Sequence, residues 1–254
     1  MARDGAKLLA VLIDADNVLA KHAEAILKEI STIGEPALRR VYGDWSSTQL
    51  QGWKNQARDL GLVMHQQSAN TKGKNASDIG LVIDAMDILH QGKFDGFVLV
   101  SSDSDFTRLA SRIREEGLEV VGIGEAKTPE SLRKVCNRFI LIENIIGDAE
   151  ADTKVTPSVQ TAAPVTKAEP PTVVAPLRKP MTEAIPLIFK AMKNIDPDSE
   201  WYHLGQLGQY MTRADPDFDS RTYGAAKLSD LIKGLPKRFE VKKEGNVLMV
   251  RDIA

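Results

Sequence analysis

Hydrophobic positions along the first 150 residues switch between two periods. Leu8 to Ile13 is an unbroken apolar run, the pattern of a strand covered on both faces. Ala23, Ile26, Leu27 and Ile30 then fall at helical spacing, and Gly34 with Pro36 closes that helix. Ala37 to Tyr42 predicts a second strand, Ser47 to Leu60 a second helix ended by Gly61, and Leu62 to Met64 the start of a third strand. After a polar loop from Gln66 to Asn75, a helix is predicted from Ser77 to about His90. Phe97 to Val100 is another buried strand, followed by a helix whose inner face is Phe106, Leu109, Ala110 and Ile113. Leu118 to Ile123 and Phe139 to Ile142 add two strands around a short helix from Pro129 to Val135. Such alternation predicts an α/β fold: a mostly parallel sheet with helices on both faces.

The pattern breaks after residue 150. Positions 151–180 hold six prolines and no aromatic residue. Proline removes backbone donors and favours extended chain, so this stretch reads as a semi-rigid, poorly ordered linker. From Met181 the periodicity resumes in a different arrangement. One helix is predicted through Ala184, Leu187, Ile188 and Ala191, a second through Trp201, Leu204, Leu207 and Met211, and a third from Tyr223 to Ile232. Phe239-Glu240-Val241 and Val247 to Val250 flank Glu244-Gly245-Asn246, a hairpin signal. Three helices and a terminal hairpin predict a small winged helix-turn-helix. The expected division is 1–148, a linker at 149–180, and 181–254, with two modules that fold independently.

Composition narrows the functional classes. No apolar run approaches the roughly 18 residues of a membrane span, so no membrane partner is expected. A single cysteine, Cys136, rules out an internal disulfide and a cysteine zinc site and points to a reducing cytoplasmic setting. The net charge of −2 argues against a uniformly basic surface. Its distribution is uneven: residues 1–150 carry 18 Lys/Arg against 22 Asp/Glu, whereas 181–254 carry 11 of each. An acidic first module suits a carboxylate cluster that a cation would make tolerable.

Ligands of doubly wound sheets bind beyond the carboxyl ends of the strands. Asp14 ends the first strand there, Asp103 and Asp105 follow the Phe97–Val100 strand, and Asp78 opens the helix after the polar loop. Carboxylates gathered away from water repel one another. A hard divalent ion relieves that repulsion, and oxygen ligands without His or Cys favour magnesium or manganese. Such an ion activates water and neutralises charge on a phosphodiester, which is nuclease chemistry. Asn17 fits a donor to a carboxylate or phosphate, and equally a helix cap. Asp84 lies six residues beyond Asp78, about 120° around an ideal helix, so it suits support of the cluster better than ligation. Each of these acids taken singly also fits a helix cap or a turn.

Asp14-Ala15-Asp16-Asn17, Lys74-Asn75-Ala76-Ser77-Asp78 running on to Asp84-Ala85-Met86-Asp87, and Ser101 to Phe106 together resemble the motif series of the NYN domain, a family of PIN-like nucleases. The resemblance covers about residues 6–145. It implies a PIN-like sheet, metal binding by Asp14, Asp78, Asp103 and Asp105 with Asn17 and Asp84 in support, and cleavage of RNA. Ser102 stands where the family commonly has Gly.

Around these acids, Lys54 and Arg58 share a helix face, and Lys72 and Lys74 precede Asp78. They suit the phosphates flanking a scissile bond, and Trp45 suits stacking on an unpaired base of single-stranded RNA. A solvated basic face and a packing tryptophan fit the same residues. Residues 182–252 resemble the LOTUS domain, also called OST-HTH, through Trp201, Leu204, Leu207, Phe218, Tyr223-Gly224, Leu228 to Leu231, Leu235-Pro236 and Phe239 to Val241. That resemblance implies binding of RNA or of a protein partner such as a helicase. Lys227, Lys233, Lys237, Arg238, Lys242 and Lys243 give the third helix and wing a basic edge for it. Two other enzyme classes fit less well. An Asp-x-Asp after the first strand also opens haloacid-dehalogenase phosphatases, but no cap domain is present and Asp78 would have no role. No glycine-rich turn follows the first strand, as a dinucleotide site requires. A non-catalytic RNA-binding adaptor with the same fold is the remaining alternative.

Overall fold

The structure is a computed structural model that describes residues 5–66, 76–152 and 178–253. Six strands form one parallel sheet: β1 (Leu8–Asp14), β2 (Glu35–Gly43), β3 (Val63–Gln66), β4 (Gly96–Val100), β5 (Glu119–Gly124) and β6 (Arg138–Leu141), in the order β3-β2-β1-β4-β5-β6. Successive side chains on a strand point to opposite faces, and the apolar runs fill both. Leu9, Val11 and Ile13 pack with Val98, Val100, Val121 and Ile123 under α1 (Ala23–Ser31), α2 (Gln51–Leu60) and α6 (Ile142–Asp152). Ala10 and Leu12 pack with Phe97 and Leu99 under α3 (Ala76–His90), α4 (Thr107–Glu115) and α5 (Glu130–Val135). The sheet tolerates no Cβ at Gly122, where one would lie 2.4 Å from the Phe139 ring. No described helix is long and apolar enough to cross a membrane.

Three helices, α7 (Ile185–Ile195), α8 (Leu204–Ala214) and α9 (Leu228–Lys233), pack on a three-stranded antiparallel sheet in the C-terminal module. The expected hairpin is β8 (Phe239–Glu244) and β9 (Val247–Asp252), turned at Gly245 with φ +59°. The third strand, β7 (Tyr202–His203), pairs with β9 and was not expected from its two-residue pattern. The third helix is shorter than the predicted 223–232, because Gly224 takes φ +78° and ends a 3₁₀ turn before α9 begins.

One helix end differs from the expected limit. Helix α6 runs on to Asp152, past the expected domain end at 148, because Ile142, Ile145 and Ile146 give it an inner face against the sheet. The proline-rich segment from 153 to 177 lies outside the described residues.

The two modules touch through polar contacts that the sequence did not predict. Arg221, just before α9, donates to Glu29 of α1 at 2.9 and 3.0 Å and to Asp219 at 2.7 Å. Its side chain is only 12% exposed. Arg133 of α5 donates to Asp217 at 2.7 Å, and Asn144 of α6 to Thr222 at 3.0 Å. At the sheet edge the Phe139 N–H of β6 donates to the Pro216 carbonyl at 2.7 Å.

Two predictions follow from this junction. Removing one member of a buried charge network leaves its partners unpaired at a cost of about 3 kcal/mol. Arg221→Ala should therefore lower the thermal midpoint measurably, and an unchanged melt would mean that the contact contributes nothing. The second concerns Asp215, whose carboxyl is pushed up to about 6 by burial and by Asp217 beside it, against the opposing charges of Lys134 and Arg133. Between the ordinary value of 3.8 and about 6 the folded state binds more protons at this site than the unfolded chain. Its contribution to stability is then lost as pH rises through that window. Melts of Asp215→Asn should show a shallower decline between about pH 4 and 6 than wild type.

Candidate active site

Asp14 is the last residue of β1, paired with Tyr42 of β2, and sits where the chain's direction of strand addition reverses. Its neighbour on the other side, β4, runs straight into Ser101. This is the switch point at which a doubly wound sheet opens a crevice. Asp14 is 1% exposed, and burial raises its carboxyl above the ordinary range despite three donors. Asn17 Nδ2 and Ser101 Oγ donate to Oδ2 at 2.6 and 2.9 Å, and the Asp16 N–H donates to Oδ1 at 3.1 Å. An ionised carboxylate has about four acceptor positions, so room remains for one more partner.

Ser101 ties the two strand ends together. Its Oγ donates to Asp14 and accepts from the Asp103 N–H at 3.1 Å. Asp103 in turn accepts the Asp105 N–H at 2.9 Å, capping the 3₁₀ turn that leads into α4. The motif reading left Ser101 without a role; the signal it offered was a hydroxyl one residue beyond a buried strand, opposite the buried acid of the next strand.

Asp78 enters from the first turn of α3. Its carboxyl is pushed up to about 6, first by burial and then by the charges of Asp14, Asp103, Asp105 and Asp16. Four acids are thus close enough to oppose ionisation of the fifth. Among the described residues, no three such groups are close enough to hold an ion as placed. The donor set is all carboxylate oxygen and mutually repelling, which fits a hard cation that keeps several waters. Asp14, Asp78, Asp103 and Asp105 are the residues that would hold it.

Other expected members lie elsewhere. Asp84 does not join the cluster: Arg40 and Tyr42 of β2 both donate to its carboxylate, and His65 lies 3.9 Å away. Those contacts hold Asp84 below the ordinary carboxylate range although burial opposes them; burial, and then the Asp84 carboxylate, push the Tyr42 hydroxyl upward against the charge of Arg40. This partnership spans 42–44 residues of sequence and has no local signature. Trp45 follows the packing alternative. It is 9% exposed, lies in the core with Leu50 and Trp53, and donates its indole N–H to the His65 carbonyl at 3.0 Å. Lys54 and Arg58 are exposed on α2, with Arg58 bonded to its neighbour Asp59. Lys72 and Lys74 fall outside the described residues.

The basic wing is largely engaged within its own module. Lys242 lies 4.1 Å from the Trp201 ring centroid and 3.4 Å from Glu244. Arg238 stacks over Phe189 at 5.6 Å and pairs with Asp252 at 2.7 Å. Lys237 and Lys243 are exposed, and Lys227 faces the junction between the modules.

Comparison with known proteins agrees with this architecture. Residues 8–143 match the model of the NYN domain, and residues 175–248 match that of the OST-HTH/LOTUS domain. No curated protein matches the chain. Among solved structures, a protein of unknown function from Vibrio parahaemolyticus shares 21% identity, with 56% of this chain and 96% of that one covered and a TM-score of 0.47. An uncharacterized protein from Nitrosomonas europaea shares 28% identity over 38% of this chain and 92% of that one, with a TM-score of 0.26. With more than half its length matched and the six-stranded parallel sheet in place, the chain belongs to the NYN domain family, a nuclease-type α/β fold carrying an OST-HTH/LOTUS domain at its C-terminal end.

Proposed function

We propose that the chain is a divalent-metal-dependent ribonuclease that hydrolyses phosphodiester bonds of single-stranded RNA at the carboxyl edge of its parallel sheet. The observation that carries this reading is the hydrogen-bonded join of Asp14 to Asp103 through Ser101, with Asp14, Asp103 and Asp105 all close enough to Asp78 to oppose its ionisation. NYN domains are typically ribonuclease domains and LOTUS domains bind RNA, which supports RNA as substrate. When bound, magnesium or manganese would supply an activated water and neutralise charge on the phosphate. Asn17 and Ser101 fix the Asp14 carboxylate in one orientation, with one acceptor position left for a further partner. Asp103, set by its own backbone cap, keeps Asp105 in the same turn. Asp84 acts at a distance, anchoring α3 to β2 and so placing Asp78, rather than touching substrate.

Labelled single-stranded RNA incubated with the protein tests this directly. Cleavage should require magnesium or manganese and vanish in excess EDTA; full activity in EDTA would exclude the mechanism. Asp14→Asn and Asp105→Asn should each reduce the rate on the order of 100-fold or more, because each removes a charge from the ligand set. A wild-type rate in either variant would overturn the assignment of these carboxylates to the site.

Asp78→Asn separates function from stability. Without added metal its carboxyl is half-buried among like charges. Replacing it should therefore raise the thermal midpoint in EDTA at neutral pH while abolishing cleavage. A lower midpoint would show that Asp78 is a structural cap rather than a strained functional group.

A further inference from the structure

A groove of about 1360 Å³ runs along the junction of the two modules, at the amino-terminal end of the sheet. Lys7 precedes β1 and Arg138 opens β6, so this groove lies at the opposite end of the strands from Asp14. The seven residues of β1 place it on the order of 20 Å from the carboxylates, at about 3.3 Å per residue. Six cations line it: Lys7, Arg114, Lys134 and Arg138 from the NYN module, Arg213 and Lys227 from the LOTUS module. Glu119 is the one acid in the lining.

Some of these cations are already satisfied. Lys7 pairs with Glu119 at 2.6 Å, Lys134 with Glu130, and Arg138 lies 3.8 Å from Glu29. Among the described residues, no ion pair engages Arg114, Arg213 or Lys227, and all three are exposed; Arg114 spends one N–H on the Val135 carbonyl at 2.8 Å and keeps its charge unpaired. Unpaired cations on facing walls of a groove raise the local concentration of a polyanion. No aromatic side chain lines the groove, so it offers no platform for bases. Asn137, Gln209 and Ser229 add neutral hydrogen-bonding groups of the kind that meet phosphate and sugar oxygens. On α8, Gly205 and Gly208 face the groove, and a Cβ at Gly205 would meet nothing within 4 Å. That wall is therefore open to the close approach of a backbone.

We propose that this inter-module groove is an RNA exosite, which holds the sugar-phosphate backbone of a single strand without reading its sequence, on the far side of the sheet from the carboxylates. The identity of the polyanion rests on the ribonuclease reading; the site itself rests on the groove and its cations. Neither module forms it alone, since each supplies one wall. The Arg221–Glu29 contact keeps the two walls in register.

Binding of fluorescein-labelled oligouridine, about 20 nucleotides long to exceed a typical single-strand site, tests the proposal on the full chain. Anisotropy titrations in EDTA at several salt concentrations keep binding separate from cleavage. Arg114→Glu and Arg213→Glu, from opposite walls, should each weaken binding about 10-fold, whereas Lys243→Glu on the wing should change it less than about 2-fold. The pair Arg213→Ala/Lys227→Ala should flatten the slope of log K against log salt by about 1.4, at about 0.7 per phosphate contact on a single strand. Unchanged affinity in both glutamate variants would overturn the exosite. So would poly-glutamate binding at this groove that RNA does not displace, which would make it a docking site for an acidic peptide. Should Arg114→Glu fail to fold, the two exposed LOTUS-side positions carry the test. Loss of cleavage with intact binding in EDTA would refute the nuclease reading and leave the exosite standing.

Discussion

The structure is organised by the cost of keeping a carboxylate at the end of a central, buried strand. A parallel sheet covered on both faces has nowhere on those faces for an ionisable group. Its carboxyl edge is the exception, because loops there diverge at the switch point. Asp14 occupies that edge, yet it is still buried enough that its charge is disfavoured. Asn17, Ser101 and the Asp16 N–H offset part of that cost. What they leave is a charge that a further acid, Asp78, makes worse rather than better. Groups arranged against their own stability in this way are the usual mark of a functional site.

A second constraint sits at the other side of the sheet. An open parallel sheet leaves an unpaired edge at β6, a ready template for pairing with another chain. Here the LOTUS module covers it: the Phe139 N–H meets the Pro216 carbonyl, and Arg133, Arg138 and Glu29 form polar contacts around that point. The proline-rich sequence between the modules had suggested spacing them apart. A long linker sets reach but does not decide whether its ends dock; surface complementarity decides that. The complementary surface consists of ion pairs between residues as far apart as 29 and 221, which carry no local pattern.

Legibility in the sequence followed the range of each interaction. Strands such as Phe97–Val100 and helices such as α4 were readable because burial on both faces or on one stripe leaves a periodic trace. Asp14, Asp103 and Asp105 were readable because strand ends in an alternating fold fix which edge they reach. Trp45 stayed open between stacking and packing because an aromatic residue after a strand looks the same whether it turns out to solvent or into the core; in the structure it packs inward, with its indole bonded to the His65 carbonyl. The Asp84 contacts with Arg40 and Tyr42 depend on α3 crossing β2, which spacing along α3 alone does not show. Strand β7 is two residues long and exists only because β9 lies beside it.

Viewed as a charge distribution, the near-neutral chain is two opposed fields rather than a bland surface. Acids collect at the carboxyl edge of the sheet, where Asp14, Asp16, Asp78, Asp103 and Asp105 lie close enough to interact. Cations collect at the amino edge, where both modules contribute them to one groove. For a polyanionic strand, the acidic edge alone would be repulsive until a divalent ion neutralises it, so initial capture there is weak. Capture at the amino edge needs no metal. On the proposed reading, separating capture from chemistry in this way lets the carboxylates stay close together without forfeiting the encounter with a polyanionic strand. The docked LOTUS module is then neither a tethered accessory nor a passive cap on β6. It supplies one wall of the site that brings the strand within reach of the acids.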